Sequence, residues 1–167
     1  MPAMTTDLAI TLLLVVALAD LLVAAVAVRF RRASGVAMPI VGLLLLEVGW
    51  IGSLVLEATA PAFADRVFWA RFRFVFIAAL PVVTMFACER FSGGVRLVRG
   101  WVLGAMLLVP GITVVLALTG DYHHLFRYDF ALVAGPAPHL SYTNGPWFTV
   151  HILYCYALGL VTFVRLT

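Results

Sequence analysis

Long apolar runs alternate with short polar breaks along the chain, and within each run the apolar residues are continuous rather than alternating. Five runs stand out: Leu8 to Val28, Pro39 to Ala58, Val67 to Phe91, Leu97 to Leu118 and Trp147 to Leu166. Each approaches the ~20 residues that an α-helix needs to cross about 30 Å of hydrocarbon. Continuous runs exclude a transmembrane β-barrel, whose strands alternate lipid-facing and lumen-facing positions. The pattern predicts an all-α membrane protein, a five-helix transmembrane bundle forming a single transmembrane domain over residues 1–167. Between the fourth and fifth runs, Tyr128 to Val133 and His139 to Tyr142 flank the turn-rich stretch Ala134-Gly135-Pro136-Ala137-Pro138, which predicts an exterior loop or β-hairpin.

Composition narrows the class. The chain is 64% apolar and 11% charged, against roughly 45–50% and about 25% in soluble domains. A soluble globular fold is excluded. All 11 basic residues are Arg, so no lysine is present to carry a Schiff base. They cluster at span ends rather than on one face, which removes support for nucleic acid as a partner. Their placement orients the chain: Arg29, Arg31 and Arg32 lie in the first connection, Arg90, Arg96 and Arg99 in the third, while the second has only Asp65 with Arg66. The positive-inside rule then predicts a multi-pass cell-membrane protein with its N-terminus outside and its C-terminus cytoplasmic. Pro81 and Pro110 fall inside spans and should kink them. Gly49 with Ser53, and Gly100 with Gly104, are small residues placed to let helices approach.

Several ordered blocks carry a resemblance. Leu46-Glu47-Val48-Gly49-Trp50 leads to Leu56-Glu57, then to Phe68-Trp69-Ala70-Arg71-Phe72 and Leu80-Pro81. Further on come Ala87-Cys88-Glu89-Arg90-Phe91-Ser92-Gly93, Thr119-Gly120-Asp121-Tyr122-His123-His124-Leu125-Phe126, and Gly145-Pro146-Trp147-Phe148-Thr149-Val150-His151 with Tyr154 and Tyr156. In this order they resemble the seven-transmembrane N-terminal sensor region of archaeal and bacterial histidine kinases. The resemblance implies an input module that detects a small-molecule or membrane signal and passes it to cytoplasmic domains, acting as a homodimer in the full-length receptor. It also implies seven spans, of which this sequence holds five, so an incomplete sensor region is expected. No phosphoacceptor-His helix or ATP-lid glycine cluster is present, and no enzymatic activity is expected of the chain.

Ionisable groups inside a bilayer are costly and are therefore the first functional candidates. Asp20 and Glu47 each lie about nine residues from the first connection, on antiparallel spans, hence at a similar depth of roughly 12 Å. Facing each other, they would share a proton through desolvation and like-charge repulsion; otherwise each carboxyl simply fixes helix packing. Glu57, near the other end of the second span, matches Arg71 in depth, and an ion pair between them is expected. Arg73, two residues on, points to nearly the opposite face, so only one of the two arginines can readily meet Glu57. The pair reads either as structural or as an anchor for an anionic ligand. Arg71 also occupies the basic position that follows Trp-Ala in the family.

Aromatic residues Trp50, Trp69, Phe74, Trp147, Tyr154 and Tyr156 are expected to surround His151 in a pocket, or to form only an interfacial belt. His123 and His124, with Asp121 and Asp129 nearby, are weak candidates for a metal or a proton sensor. No cofactor is expected, since haem between helices normally needs histidines on two spans and only one span carries any. The ligand-binding or coupling candidates are thus Glu57, Arg71, Trp69, His151, Tyr154, Asp20 and Glu47. A transporter or proton-handling subunit is the alternative function, motivated by Asp20 and Glu47 and opposed by the odd span count and the lack of inverted repeats.

Overall fold

A computed structural model describes residues 2–32, 34–92, 100–135 and 138–166. Among the described residues, five helical segments are long and apolar enough to cross a membrane: Asp7–Arg29, Ala37–Thr59, Phe63–Ser92, Gly100–Leu118 and Pro146–Leu166. They reproduce the five expected spans with ends displaced by a few residues. Arg96, Arg99 and the first residues of the expected fourth span, from Leu97, lie outside the described residues, as do Pro136 and Ala137 of the turn.

In chain order the helices are α1 (Pro2–Arg29), α2 (Ala37–Thr59), α3 (Phe63–Phe72), α4 (Phe74–Ile77), α5 (Leu80–Ser92), α6 (Gly100–Met106) and α7 (Leu108–Leu118). Strands β1 (Arg127–Val133) and β2 (His139–Asn144) follow, and α8 (Pro146–Leu166) ends the chain. The third span is therefore α3, α4 and α5 in series, and the fourth is α6 then α7. Helix α2 is central, packing against α1, α3, α4 and α5, while α8 packs against α5 and α7. Helix α1 is largely apolar around its circumference, Asp20 apart, and packs against α2, leaving Leu12, Leu18 and Leu22 among its exposed residues. Such a surface is stable in lipid and would not be in water.

Proline explains two of the interruptions. Lacking an N–H, Pro81 cannot bond the carbonyl of Ile77, and the helix breaks between Ile77 and Leu80. Pro110 likewise frees the carbonyl of Met106, where α6 ends. That orphan does not stay unpaired, because the Tyr154 hydroxyl of α8 donates to the Met106 oxygen. An unbonded carbonyl in hydrocarbon is expensive, so the kink and the cross-helix bond belong together. Tyr154, expected in a pocket, is instead the residue that ties α8 to the kink.

Small residues show both outcomes. A Cβ on Gly49 would run into the Phe76 ring, and Ser53 is buried with its hydroxyl donating to the Gly49 carbonyl. Gly100 and Gly104 face open space among the described residues, so only the first pair closes a helix contact.

The hairpin is antiparallel, with a bulge between Tyr128 and Ala131. Asp129 sits in that bulge at φ 52°, a left-handed conformation that aspartate tolerates better than most residues. The chain enters and leaves the hairpin through one tight crossing, in which Gly145 N–H donates to Phe126 O and Trp147 N–H to Leu125 O. Only glycine fits at 145, since a Cβ there would overlap the backbone of His124 and Leu125. This crossing pushes Phe126, 1% exposed, into the bundle, where it joins Phe74 and Ala117 in a core flanked by Ile77, Leu116, Trp147 and Phe148. The Phe74 and Phe126 rings meet edge to face at 4.7 Å.

The Met106 bond predicts a non-additive pair of substitutions. Tyr154→Phe should cost about 1–3 kcal/mol by leaving a buried carbonyl unsatisfied. In a Pro110→Ala background, which supplies a helical N–H for the same carbonyl, the cost should fall below about 1 kcal/mol. Reversible unfolding of the four proteins in mixed micelles measures this coupling; equal Tyr154→Phe costs in both backgrounds would refute it.

Candidate functional site

The charged cluster lies at the hairpin end of the bundle. Glu57 sits in the last turn of α2, and Arg73 occupies the break between α3 and α4. Arg73 Nη1 donates to Glu57 Oε2 at 2.9 Å, with the two side chains only 11% and 17% exposed. The expected partner, Arg71, is not the one used. Arg71 Nη1 instead lies 2.8 Å from Asp121 Oδ2, just beyond the end of α7. The physical reason is helical phase: two residues along a helix turn the side chain through about 200°. Arg73 then faces α2, while Arg71 faces the end of α7, and α3 packs against both of those helices.

The two ion pairs differ in kind. Asp121 is 71% exposed, and its hydrogen bond from Arg71 holds the carboxyl below the usual aspartate range. The Arg71 guanidinium also lies over the Phe130 ring of β1, at 5.2 Å. Glu57 and Arg73 are both shielded from solvent, so water is a poor substitute for either partner.

A third cation completes the cluster. The Arg127 guanidinium, the first side chain of β1, is enclosed by Tyr142 at 4.0 Å, Phe74 at 4.8 Å and Phe148 at 4.8 Å. Its Nε is buried with no hydrogen-bond partner among the described residues. Burial pulls its pKa below the ordinary arginine value, the ionisable Tyr142 pushes it back up, Arg73 lowers it further and Glu57 raises it. Nothing in the sequence reading marked Arg127, because a lone arginine between Phe126 and Tyr128 in a loop looks solvated. The available signal was its flanking aromatics, which the Gly145 crossing drives inward.

Beside these arginines lies a cavity of about 340 Å³, lined by Trp50, Leu54, Arg73, Phe74, Ile77, Arg127, Tyr142, Phe148, His151, Ile152 and Cys155. Of the expected aromatic set, Trp50 and Phe74 reach it together with His151. Trp69 does not, being packed with Phe68 and Phe72 on α3. Tyr156 points away and is 74% exposed. Trp147 serves the wall from behind: its Nε1 donates to Thr113 Oγ1 at 2.9 Å, and Thr113 in turn donates to Val109 O.

His151, 2% exposed, meets Thr113 Oγ1 at 3.2 Å through Nδ1 and the Cys155 sulfur at 3.5 Å through Nε2. Because the Thr113 proton is committed to Val109, that hydroxyl can only accept from the ring. The proton therefore belongs on Nδ1, and Nε2 accepts from the Cys155 thiol. Thr113, 0% exposed, thus joins α7 to α8 and was not anticipated from sequence.

The other candidates stand apart. Asp20 Oδ2 is buried without a hydrogen-bond partner among the described residues. His123 Nε2 bonds Thr119 Oγ1 at 3.0 Å, with its Nδ1 accepting from Leu125 N–H, and His124 stacks on Tyr128. Both histidines thereby shape the turn into the hairpin. Among the described residues no three metal-ligating side chains converge.

Comparison with known proteins adds the decisive observation. The family model described as the N-terminal 7TM region of histidine kinase matches residues 12–167. The chain belongs to that family. No curated protein and no solved structure matches it. The family describes the membrane sensor region of a histidine kinase, as distinct from the catalytic domain, and the five apolar helices give this sensor region a multi-pass membrane location.

Ion-pair burial predicts unequal mutational costs. Glu57→Leu should destabilise the sensor region by about 3–5 kcal/mol, since it strands a buried cation. Asp121→Asn should cost under about 1 kcal/mol, because its carboxylate is largely solvated. Asp121 has a depressed pKa, so its contribution is present above 3.8, its unperturbed value, and is lost only as pH falls through the lower folded value. Unfolding of both variants at pH 5 and pH 8 tests this; an Asp121→Asn cost that differs between those pH values would contradict it.

Proposed function

We propose that this chain is the non-catalytic input module of a signal-transducing histidine kinase, with the hairpin end extracellular and α8 leaving toward the cytoplasm. The arginine-bearing first connection, with Arg29, Arg31 and Arg32, supports that orientation through the positive-inside rule. One observation carries the reading: the hairpin inserts Phe126 and Arg127 into the bundle beside the Glu57–Arg73 pair and continues without a linker into α8. A stimulus that repositions the hairpin must therefore displace either α4 or α8. Trp147, Thr113 and His151 lock the start of α8 to α7, which is kinked at Pro110 and so has a built-in hinge. The far end of α8 packs against α5, and relative movement there is the output. A ligand drives such a movement only by binding one arrangement better than the other.

Paramagnetic distance measurement between labels at Phe91 and Phe163, both exposed at the far end of the bundle, tests the coupling. With Cys88 and Cys155 replaced by alanine, Glu57→Gln should shift the mean distance by about 1–2 Å, the scale of helix movements in membrane-spanning and allosteric proteins, whereas Asp121→Asn should leave it unchanged. An identical distribution in all three proteins would sink the coupling proposal. Orientation has its own check: a cysteine at Arg31 should react with a membrane-impermeant maleimide only from the cytoplasmic side, and one at Tyr122 only from outside.

A further inference from the structure

The hairpin-end cluster carries more positive than negative charge in a place with little water. Arg73 and Glu57 satisfy each other, and Arg66 donates its Nε to the Ala60 carbonyl at 2.8 Å. Arg127 is left over. Three ring centroids lie within 4.8 Å of its guanidinium carbon, and its fully buried Nε has no hydrogen-bond partner among the described residues. Guanidinium donors lie at the in-plane edges of the group, so ring contacts satisfy the charge only in part, and the N–H edge at Nε is left without an acceptor. An oxyanion with two acceptor atoms side by side is the partner that edge fits.

Arg127 also lines a cavity of suitable size. At about 340 Å³ it falls in the range of about 300–1,000 Å³ typical of small-molecule sites. Its two charged groups, Arg73 and Arg127, sit at the hairpin end, while Trp50 and Leu54 of α2 and His151, Ile152 and Cys155 of α8 wall it within membrane-spanning segments. Cys155 lies nine residues into α8, about 13 Å along its axis. A ligand filling the space has a charged head at one end and an apolar body along the helices. Cations are rejected by the two arginines, and a neutral lipid leaves Arg127 unpaired.

We propose that this cavity binds an anionic amphiphile, a compact carboxylate or phosphate head on an acyl chain, with the head on Arg127 and the chain between α2 and α8. The proposal rests on the input-module reading for its role in signalling, but binding is measured on its own, so the two can fail separately. The test uses the whole chain in phosphatidylcholine nanodiscs, titrated with dodecanoate by calorimetry against empty discs. Dodecanoate should bind saturably, and dodecanol, with the same chain and no charge, should bind at least about tenfold more weakly. Arg127→Met should lose about tenfold or more in dodecanoate affinity, Arg127→Lys should retain part of it, and Arg71→Met, whose cation lies outside the cavity, should match the wild type. Repeating the titration with phosphatidylglycerol in the discs separates the sources: competition assigns the site to a phospholipid head, and undiminished binding assigns it to a free fatty acid. Equal affinity for dodecanoate and dodecanol, or no loss in both Arg127 variants while they retain the wild-type unfolding midpoint, would overturn the proposal.

Discussion

A carboxylate and a guanidinium that meet at 2.9 Å with little access to water constrain everything at the hairpin end of this molecule. Neither charge can be stranded there without a cost of several kcal/mol, so the end of α2 and the break between α3 and α4 are held in one relative position. Arg127 then enters a space whose charge is already balanced. It is tolerated because aromatic faces replace part of its lost hydration, and those faces come from three different elements. The hairpin is thus seated by a cation that has no carboxylate of its own.

Proline adds a second constraint, of the opposite kind. In lipid every backbone carbonyl must find a donor, and Pro110 removes one from Met106. The bundle answers with a side chain from another helix, Tyr154. A kink that would be a weak point in isolation becomes a joint between α7 and α8, reinforced one turn away by Thr113, Trp147 and His151.

Much of the architecture follows from composition and period alone. Continuous apolar runs with arginines near their ends determine five helical spans, because such runs in hydrocarbon must satisfy their own backbone, whereas the turn-rich stretch before Trp147 left loop and hairpin both open. The sequence also dictates that Arg71 and Arg73 cannot both serve Glu57, since helical phase separates residues two apart. Family membership was readable for the same reason: the blocks around Trp50, Trp69 and Trp147 hold their order along the chain.

Which arginine takes the glutamate was decided only by packing, because it depends on whether α2 or α7 lies on a given side of α3. The same holds for Tyr154, whose partner exists only once α6 and α8 are side by side, and for Trp69, which the packing of α3 leaves with its own phenylalanines. Arg127 is the clearest case. Its residue type and its loop address both argue for water, and only the tight crossing at Gly145 turns it into the bundle, since sequence specifies a side chain's chemistry while burial depends on what the rest of the chain brings against it.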